Sequence, residues 1–241
     1  MFEEIEKLES PIDAVYLVHK ALRDEAVRVE KMVDRLENGA SLQPFKLAFN
    51  SWATALVYHA EQEERYFKDA LKRCRLRSQF ESDVGEQTGD SKLRETAQAK
   101  EGPPVLPTDI RWAMAAHEEE LHQLMEQVEA VLTVLRDDIG PTSLIPRTKQ
   151  HLYKQVVALR IALEDHLDTE EGLVLPRIRH QMDEQQMLEL VAALLIDQRA
   201  EDPCWLIDWV SRRLALGEQI LLAELEGICK RLAGAASQSP T

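Results

Sequence analysis

The sequence predicts an all-α protein, an up-down-up-down four-helix bundle with additional C-terminal helices. Three observations carry that expectation. Four segments place apolar residues at alternating spacings of three and four, the period of a helix with one buried face. Glycine and proline gather mainly between these segments, where the chain must turn. Four histidines and two glutamates fall on the apolar faces themselves, and their arrangement repeats in the two halves of the chain.

Ser10-Pro11 opens the first helix as N-cap and first-turn proline. Its inward face reads Ile12, Val15, His19, Leu22, Ala26, Val29, Val33 and Leu36. Asn38-Gly39 supplies the turn, and the second helix starts near Ser41 with the face Phe45, Phe49, Trp52, Leu56, His59, Glu63, Tyr66 and Ala70. Over residues 81–107 the apolar period fades while Gly85, Gly89, Gly102, Pro103, Pro104 and Pro107 appear, which is the pattern of a long mobile connection. Thr108-Asp109 restarts the pattern. The third face is Ile110, Met114, His117, Leu121, Leu124, Val128, Val131 and Leu135, ending in a turn at Gly140-Pro141. Ser143 and Pro146 flank the start of the fourth helix, whose face is Leu152, Val156, Leu159, Leu163, His166, Glu170 and Leu173. Pro176 marks a bend or an end just beyond Glu170. The bundle thus occupies residues 11–180.

Residues 181–233 form a helical extension. Residues 182–198 are amphipathic, Asp202-Pro203 breaks the pattern, and two shorter helices follow. Trp205 and Trp209 are four apart and share a contact face, suited either to covering the bundle or to docking a protein partner. The tail, residues 234–241, is small and polar, and disorder is expected there.

The polar residues on the apolar seams are the candidate site. His19 on the first helix is followed by His59-x-x-x-Glu63 on the second; His117 on the third is followed by His166-x-x-x-Glu170 on the fourth. Residues four apart differ by about 40° around a helix, so each His/Glu pair points one way. Depth agrees. Gly39 lies twenty residues from both His19 and His59, and Pro141 lies twenty-four from His117 and twenty-five from His166. Equal distances from a turn set residues of antiparallel neighbours at one height. One histidine on such a face is usually an ordinary hydrogen-bonded core residue. Six groups in register are not, because a buried carboxylate costs several kcal/mol unless something neutralises it, and no Lys or Arg lies on these seams. Four imidazoles and two carboxylates converging in a bundle can hold two iron ions.

Other metal chemistries fit less well. Structural zinc takes four ligands, often with cysteine, and Cys74, Cys204 and Cys229 are isolated and odd in number. Ferritin-like sites use paired Glu-x-x-His, but the residues three before His59 and His166 are Leu56 and Leu163. Glu119 to His122 has that spacing and stands alone.

At 241 residues, one core with an appended element is expected. The net charge of −14 argues against nonspecific nucleic-acid binding and against docking on an anionic membrane. The chain has no apolar run of about 18 residues to span a bilayer. Its acidic start, Met1-Phe2-Glu3-Glu4, lacks the features of a signal peptide. With free thiols, this points to a cytoplasmic protein.

The order of these ligands on four helices resembles the hemerythrin-like, or HHE cation-binding, family. The resemblance covers residues 11–180 and includes Leu17-Val18-His19-Lys20-Ala21-Leu22-Arg23, the stretch from His59 to Glu64, and that from His166 to Glu171 followed by Leu175-Pro176. It extends weakly over residues 183–209, which are similar to the segment trailing each hemerythrin repeat of plant iron-sensing ubiquitin ligases. No zinc-finger or RING pattern is present, so ligase activity is not carried over. The resemblance implies that His19, His59, Glu63, His117, His166 and Glu170 ligate two non-haem irons. The carboxylates would bridge them, the imidazoles would bind terminally, and an oxo or hydroxo group from solvent would form the third bridge. Oxygen-carrying members have a second histidine one turn along helix three and an aspartate five residues after the helix-four histidine. Here those positions are Leu121 and Glu171. The four-His, two-Glu set resembles instead the di-iron proteins tied to iron–sulfur cluster repair and nitric-oxide stress.

Around these ligands, Tyr16 and Tyr66 suit either an outer-shell hydrogen bond to the site or simple core filling. Glu64, Glu118 and Glu171 lie off the seam and are expected on solvated faces, as are His122, His151 and His180. Two functions follow from the resemblance. One is reaction with or binding of oxygen, nitric oxide or peroxide; the other is an iron or oxygen sensor acting through a protein partner.

Overall fold

The computed structural model describes residues 4–37, 40–87, 107–138 and 146–236, and every regular element among them is helical. The elements are α1 (Ala14–Asp34), α2 (Gln43–Gln87), α3 (Pro107–Thr133), α4 (Pro146–Thr169), α5 (Leu175–Gln181), α6 (Glu184–Leu195), α7 (Trp205–Ser211) and α8 (Leu216–Ala236). A 3₁₀ turn, Pro11–Asp13, leads into α1, and π-helical segments follow α3 (Val134–Asp138) and α4 (Glu170–Val174). No helix among the described residues is long and apolar enough to cross a membrane. The turns expected at Asn38-Gly39 and Gly140-Pro141 lie outside the described residues, as does most of the expected connection. Its first part is helical, since α2 continues to Gln87. At the other end α8 continues to Ala236, and the last five residues lie outside the description.

Local chemistry explains where the helices start. The Asp13 carboxylate accepts the Glu9 N–H at 2.8 Å, the Ser10 N–H at 3.0 Å and the Ser10 hydroxyl at 2.9 Å, closing the turn that feeds α1. Helices α3 and α4 each begin on a proline, which has no N–H to leave unsatisfied in a first turn. Asp183 caps α6, accepting the Gln186 N–H at 2.9 Å while Gln186 returns a side-chain oxygen to the Asp183 N–H at 3.1 Å.

The packing joins α1 to α2 and α4, and α3 to α2 and α4, which closes a ring of four. Most of the residues expected to face inward do so: Leu22, Val29, Phe49, Leu56, Leu124, Val131, Leu159 and Leu163 are all 0% exposed, whereas Leu36, Tyr66 and Leu173 are half-buried. Ile110 and Met114 fall among residues whose side chains are not described.

Pro176 corrects one expectation. Of the bend or end expected there, the end is not found: the chain stays helical through the π segment Glu170–Val174 into α5. Proline cannot donate to the carbonyl four residues back and its ring clashes with it. The chain avoids both by switching to five-residue spacing, with the Leu175 N–H bonded to the Glu170 carbonyl. The wider turn shifts the seam, so Leu173 is only half-buried while Val174 and Leu175 are fully buried.

The C-terminal helices cover the outer faces of α1 and α2. Contacts run from α6 to α2 and from α7 and α8 to α1, which is why Leu17, Val18 and Ala21 of α1 are buried although they lie off the inward seam. Trp209 donates its indole N–H to Ser51 at 3.0 Å, and the Trp205 ring meets Tyr58 edge-on at 5.2 Å. Arg213 stacks 3.7 Å over the Trp209 ring and donates to the buried Glu25 carboxylate at 3.1 Å. Glu218, also buried, accepts the Ile5 N–H at 2.9 Å, the Ala215 N–H at 3.0 Å and Lys20 Nζ at 2.5 Å.

Burial acts to raise the Glu25 pKa, but Arg28 and Arg213 outweigh it and hold the carboxyl below the ordinary glutamate value. A depressed folded-state pKa means the stabilisation is complete above the unfolded value and disappears as pH falls through the folded one. Glu25→Gln is therefore expected to lower the unfolding free energy by about 1–2 kcal/mol at neutral pH. The difference should shrink as pH falls below about 4. Urea denaturation of both proteins at several pH values measures it.

Candidate metal centre

The six seam residues come together. His19 is supplied by α1, His59 and Glu63 by α2, His117 by α3 and His166 by α4, with Glu170 as first residue of the π segment. None is more than 5% exposed. Their potential ligand atoms form two groups, His19, His59, Glu63 and Glu170 in one and His117, His166, Glu63 and Glu170 in the other, and within each group the atoms lie within 4.8 Å of one another. Both groups contain both carboxylates. The rings pair the same way: His19 and His59 meet edge-on with centroids 5.2 Å apart, and His117 and His166 at 5.1 Å.

The distances fit shared ions better than a closed hydrogen-bond network. His19 Nε2 stands 3.3 Å from Glu170 Oε2 and 3.7 Å from Glu63 Oε1. His166 Nε2 is 3.7 Å from both Glu63 Oε2 and Glu170 Oε1. Two atoms each bound at about 2.1 Å to one ion stand roughly 3 Å apart at a right angle and somewhat more in a tetrahedron. The His59–Glu63 pair, at 2.8 Å, is short enough to hydrogen-bond but not aligned for it. Only His117 bonds a central carboxylate, Nε2 to Glu170 Oε1 at 2.5 Å.

Seven buried side-chain atoms of this group have no hydrogen-bond partner: His19 Nε2, His59 Nε2, both His166 nitrogens, both Glu63 oxygens and Glu170 Oε2. Leaving so many polar atoms unpaired is costly, and a bound ion would satisfy them together. Imidazole and carboxylate are donors that suit first-row transition ions. The cluster can hold metal.

Its electrostatics agree. Burial pulls the His19 pKa down, yet Glu170, Glu171 and Glu63 together hold it well above the ordinary histidine value. His117 is raised as well, with Glu170 overcoming the effect of burial. Burial pushes Glu63 up, but His59, His166 and His19 keep it well below the usual carboxylate range. Glu170 is lowered by His166, His117 and His19 against both burial and the neighbouring Glu63. The central carboxylates are thus held as anions by cationic character around them, a role a dication fills more strongly.

One residue departs from expectation. Glu171, expected on a solvated face, accepts from His19 Nδ1 at 2.8 Å and from Arg23 Nη1 at 2.5 Å, while Arg23 Nη2 reaches Asp168 at 2.8 Å. The π turn brings Glu171 round towards α1. A signal for it was present: Arg23 lies four residues after His19, about 40° further round the helix beside the seam, and an enclosed arginine there needs a carboxylate nearby. Glu120 was also unforeseen. It accepts the Thr169 hydroxyl at 2.8 Å, its other oxygen is buried without a partner, and burial raises its pKa while His166 and His117 lower it. Glu64, Glu118, His122, His151 and His180 are exposed as expected, and Leu121 is buried among the apolar residues. Tyr66 packs under Arg65, 5.3 Å from the ring centroid. Tyr16 lies among Arg179, Glu171 and Asp13; burial, then the acids, raise its pKa against Arg179. Neither tyrosine belongs to the two groups.

Comparison with known protein families, curated proteins and solved structures returns no match. What the site can do is therefore carried by its own residues.

A chain that binds an ion only when folded is stabilised by mass action, by about 2.7 kcal/mol at a hundred times the dissociation constant. Ferrous ion added without oxygen is expected to raise the melting temperature, and a chelator to return it. The rise should vanish in the Glu63→Ala, Glu170→Ala double variant. Unchanged melting of the wild-type chain at saturating ferrous ion and at saturating zinc would remove the metal assignment.

Proposed function

We propose that the chain is a hemerythrin-like di-iron protein that binds or reacts with oxygen, nitric oxide or peroxide. The observation that carries this reading is the sharing of Glu63 and Glu170 between two pairs of imidazoles. The closed ring of contacts among α1, α2, α3 and α4 supports the up-down-up-down bundle that such a site requires. His19 and His59 would serve one ion, His117 and His166 the other, with both carboxylates between them.

Iron held there would supply one-electron exchange with a small diatomic molecule or peroxide. The protein's contributions are its own. Glu63 and Glu170 offset the charge of two dications in a dry core. Leu56 and Leu163, one turn before His59 and His166 and fully buried, exclude water from that side. Phe67 lies 6.4 Å from the His117 ring and does the same from α2. With Leu121 in place of a further imidazole, four nitrogens serve two ions, which leaves room for an exogenous ligand.

A second reading, an iron or oxygen sensor acting through a protein partner, draws on a separate observation. Helix α1 carries His19 on one face and is gripped on the other by Glu25–Arg213 and Lys20–Glu218. A shift of α1 on ion binding would reach the C-terminal helices directly.

Metal analysis of protein purified without oxygen, followed by absorption spectra on admission of air, tests the first reading. About two irons per chain and new near-ultraviolet absorption are expected, with iron lost in Glu63→Ala and in Glu170→Ala. Full occupancy in both variants would refute the ligand assignment. Peroxide consumption favours the reactive role, whereas iron-dependent protease protection of α7 and α8 without turnover favours the sensor.

A further inference from the structure

The two ion positions are chemically alike in ligand type but differ in how they are held. His19 is fixed from behind. Its Nδ1 donates to the Glu171 carboxylate at 2.8 Å, so Nε2 is the nitrogen turned towards Glu63 and Glu170. Glu171 is itself pinned by Arg23, whose other nitrogen is tied to Asp168, and the Arg23 side chain is only 9% exposed. Ring orientation is set before any ion arrives, and a proton kept on Nδ1 by Glu171 leaves Nε2 as the nitrogen to bind it.

His166 has nothing comparable. It is 1% exposed, and both of its nitrogens lack a hydrogen-bond partner. His117 is the most exposed of the six, at 7% of its side chain, and its Nε2 is bonded to Glu170 Oε1 at 2.5 Å. An ion entering between His117 and His166 must displace that bond and orient a free imidazole. An ion entering between His19 and His59 meets one imidazole already aimed.

We infer that Glu171, positioned by Arg23, makes the two metal positions unequal: the His19/His59 position fills first and tightly, and the His117/His166 position is the weaker, exchangeable one. This rests on the two-ion reading above. Glu171 is a positioning residue, since it touches a ligand and not the ion. His117, at the exchangeable position, is also the least buried of the imidazoles.

The test is anaerobic ferrous titration of the full chain by calorimetry, comparing wild type with Glu171→Ala, Glu171→Gln and Arg23→Met. Wild type is expected to take up two ions in two resolved steps. Loss of an outer hydrogen-bond partner to a metal-binding histidine typically costs 10–100-fold in affinity. Glu171→Ala should therefore weaken the first step by about that factor and leave the second within about threefold. Glutamine can still accept from Nδ1, so Glu171→Gln should fall between wild type and alanine. Arg23→Met leaves residue 171 in place and should shift the first step in the same direction. Two equal steps in wild type, or equal weakening of both steps in Glu171→Ala, would overturn the inference while leaving the di-iron reading intact. Uptake of no ferrous ion, or of one ion only, would overturn the inference together with that reading.

Discussion

Two carboxylates, Glu63 and Glu170, lie close together with no exposure to solvent and, among the described residues, with histidines rather than lysine or arginine as the cationic groups beside them. That constraint organises what surrounds them. Four imidazoles are drawn in because only groups of cationic or metal-binding character can offset the charge. The histidines come from four different helices, and a helix face supplies two site groups where they stand four residues apart, as His59 and Glu63 do. The contacts among α1, α2, α3 and α4 bring these four helices together around the pair.

Helix α1 links the centre to the rest of the chain. Its inward face supplies His19, an adjoining face places Arg23 against Glu171, and its outer face is covered by the C-terminal helices. Burial on both sides explains why Arg23 and Glu25 can be nearly enclosed: each has charged partners with good geometry, Asp168 and Glu171 for one, Arg28 and Arg213 for the other. The same enclosure ties the orientation of a candidate ligand to the packing of the extension.

The π segment at Glu170 shows how a local backbone rule reaches the site. Pro176 makes ordinary helical spacing impossible at that point, and the extra residue rotates everything that follows. Glu170 keeps its place on the seam because it precedes the shift. Glu171 and Val174 acquire positions that a regular helix would deny them. A helix-breaking residue six positions beyond a ligand thus bears on the hydrogen bond that aims another ligand, His19.

The sequence alone determined the helices and the six polar residues on their seams, because apolar period, turn residues and the register of His19, His59, Glu63, His117, His166 and Glu170 are all properties of spacing along the chain. It also showed that the central glutamates had no basic partner on their own faces. Tertiary structure decided the rest. The grouping of His19 with His59 and of His117 with His166 depends on which helices are neighbours and how deeply each is set. The turn of Glu171 towards α1 depends on a five-residue backbone bond that a regular 3.6-residue period does not contain. The choice of α1 and α2 as the faces covered by Trp205, Trp209 and Arg213 depends on contacts between residues more than a hundred apart. Spacing fixes which residues share a face, but packing fixes what that face meets.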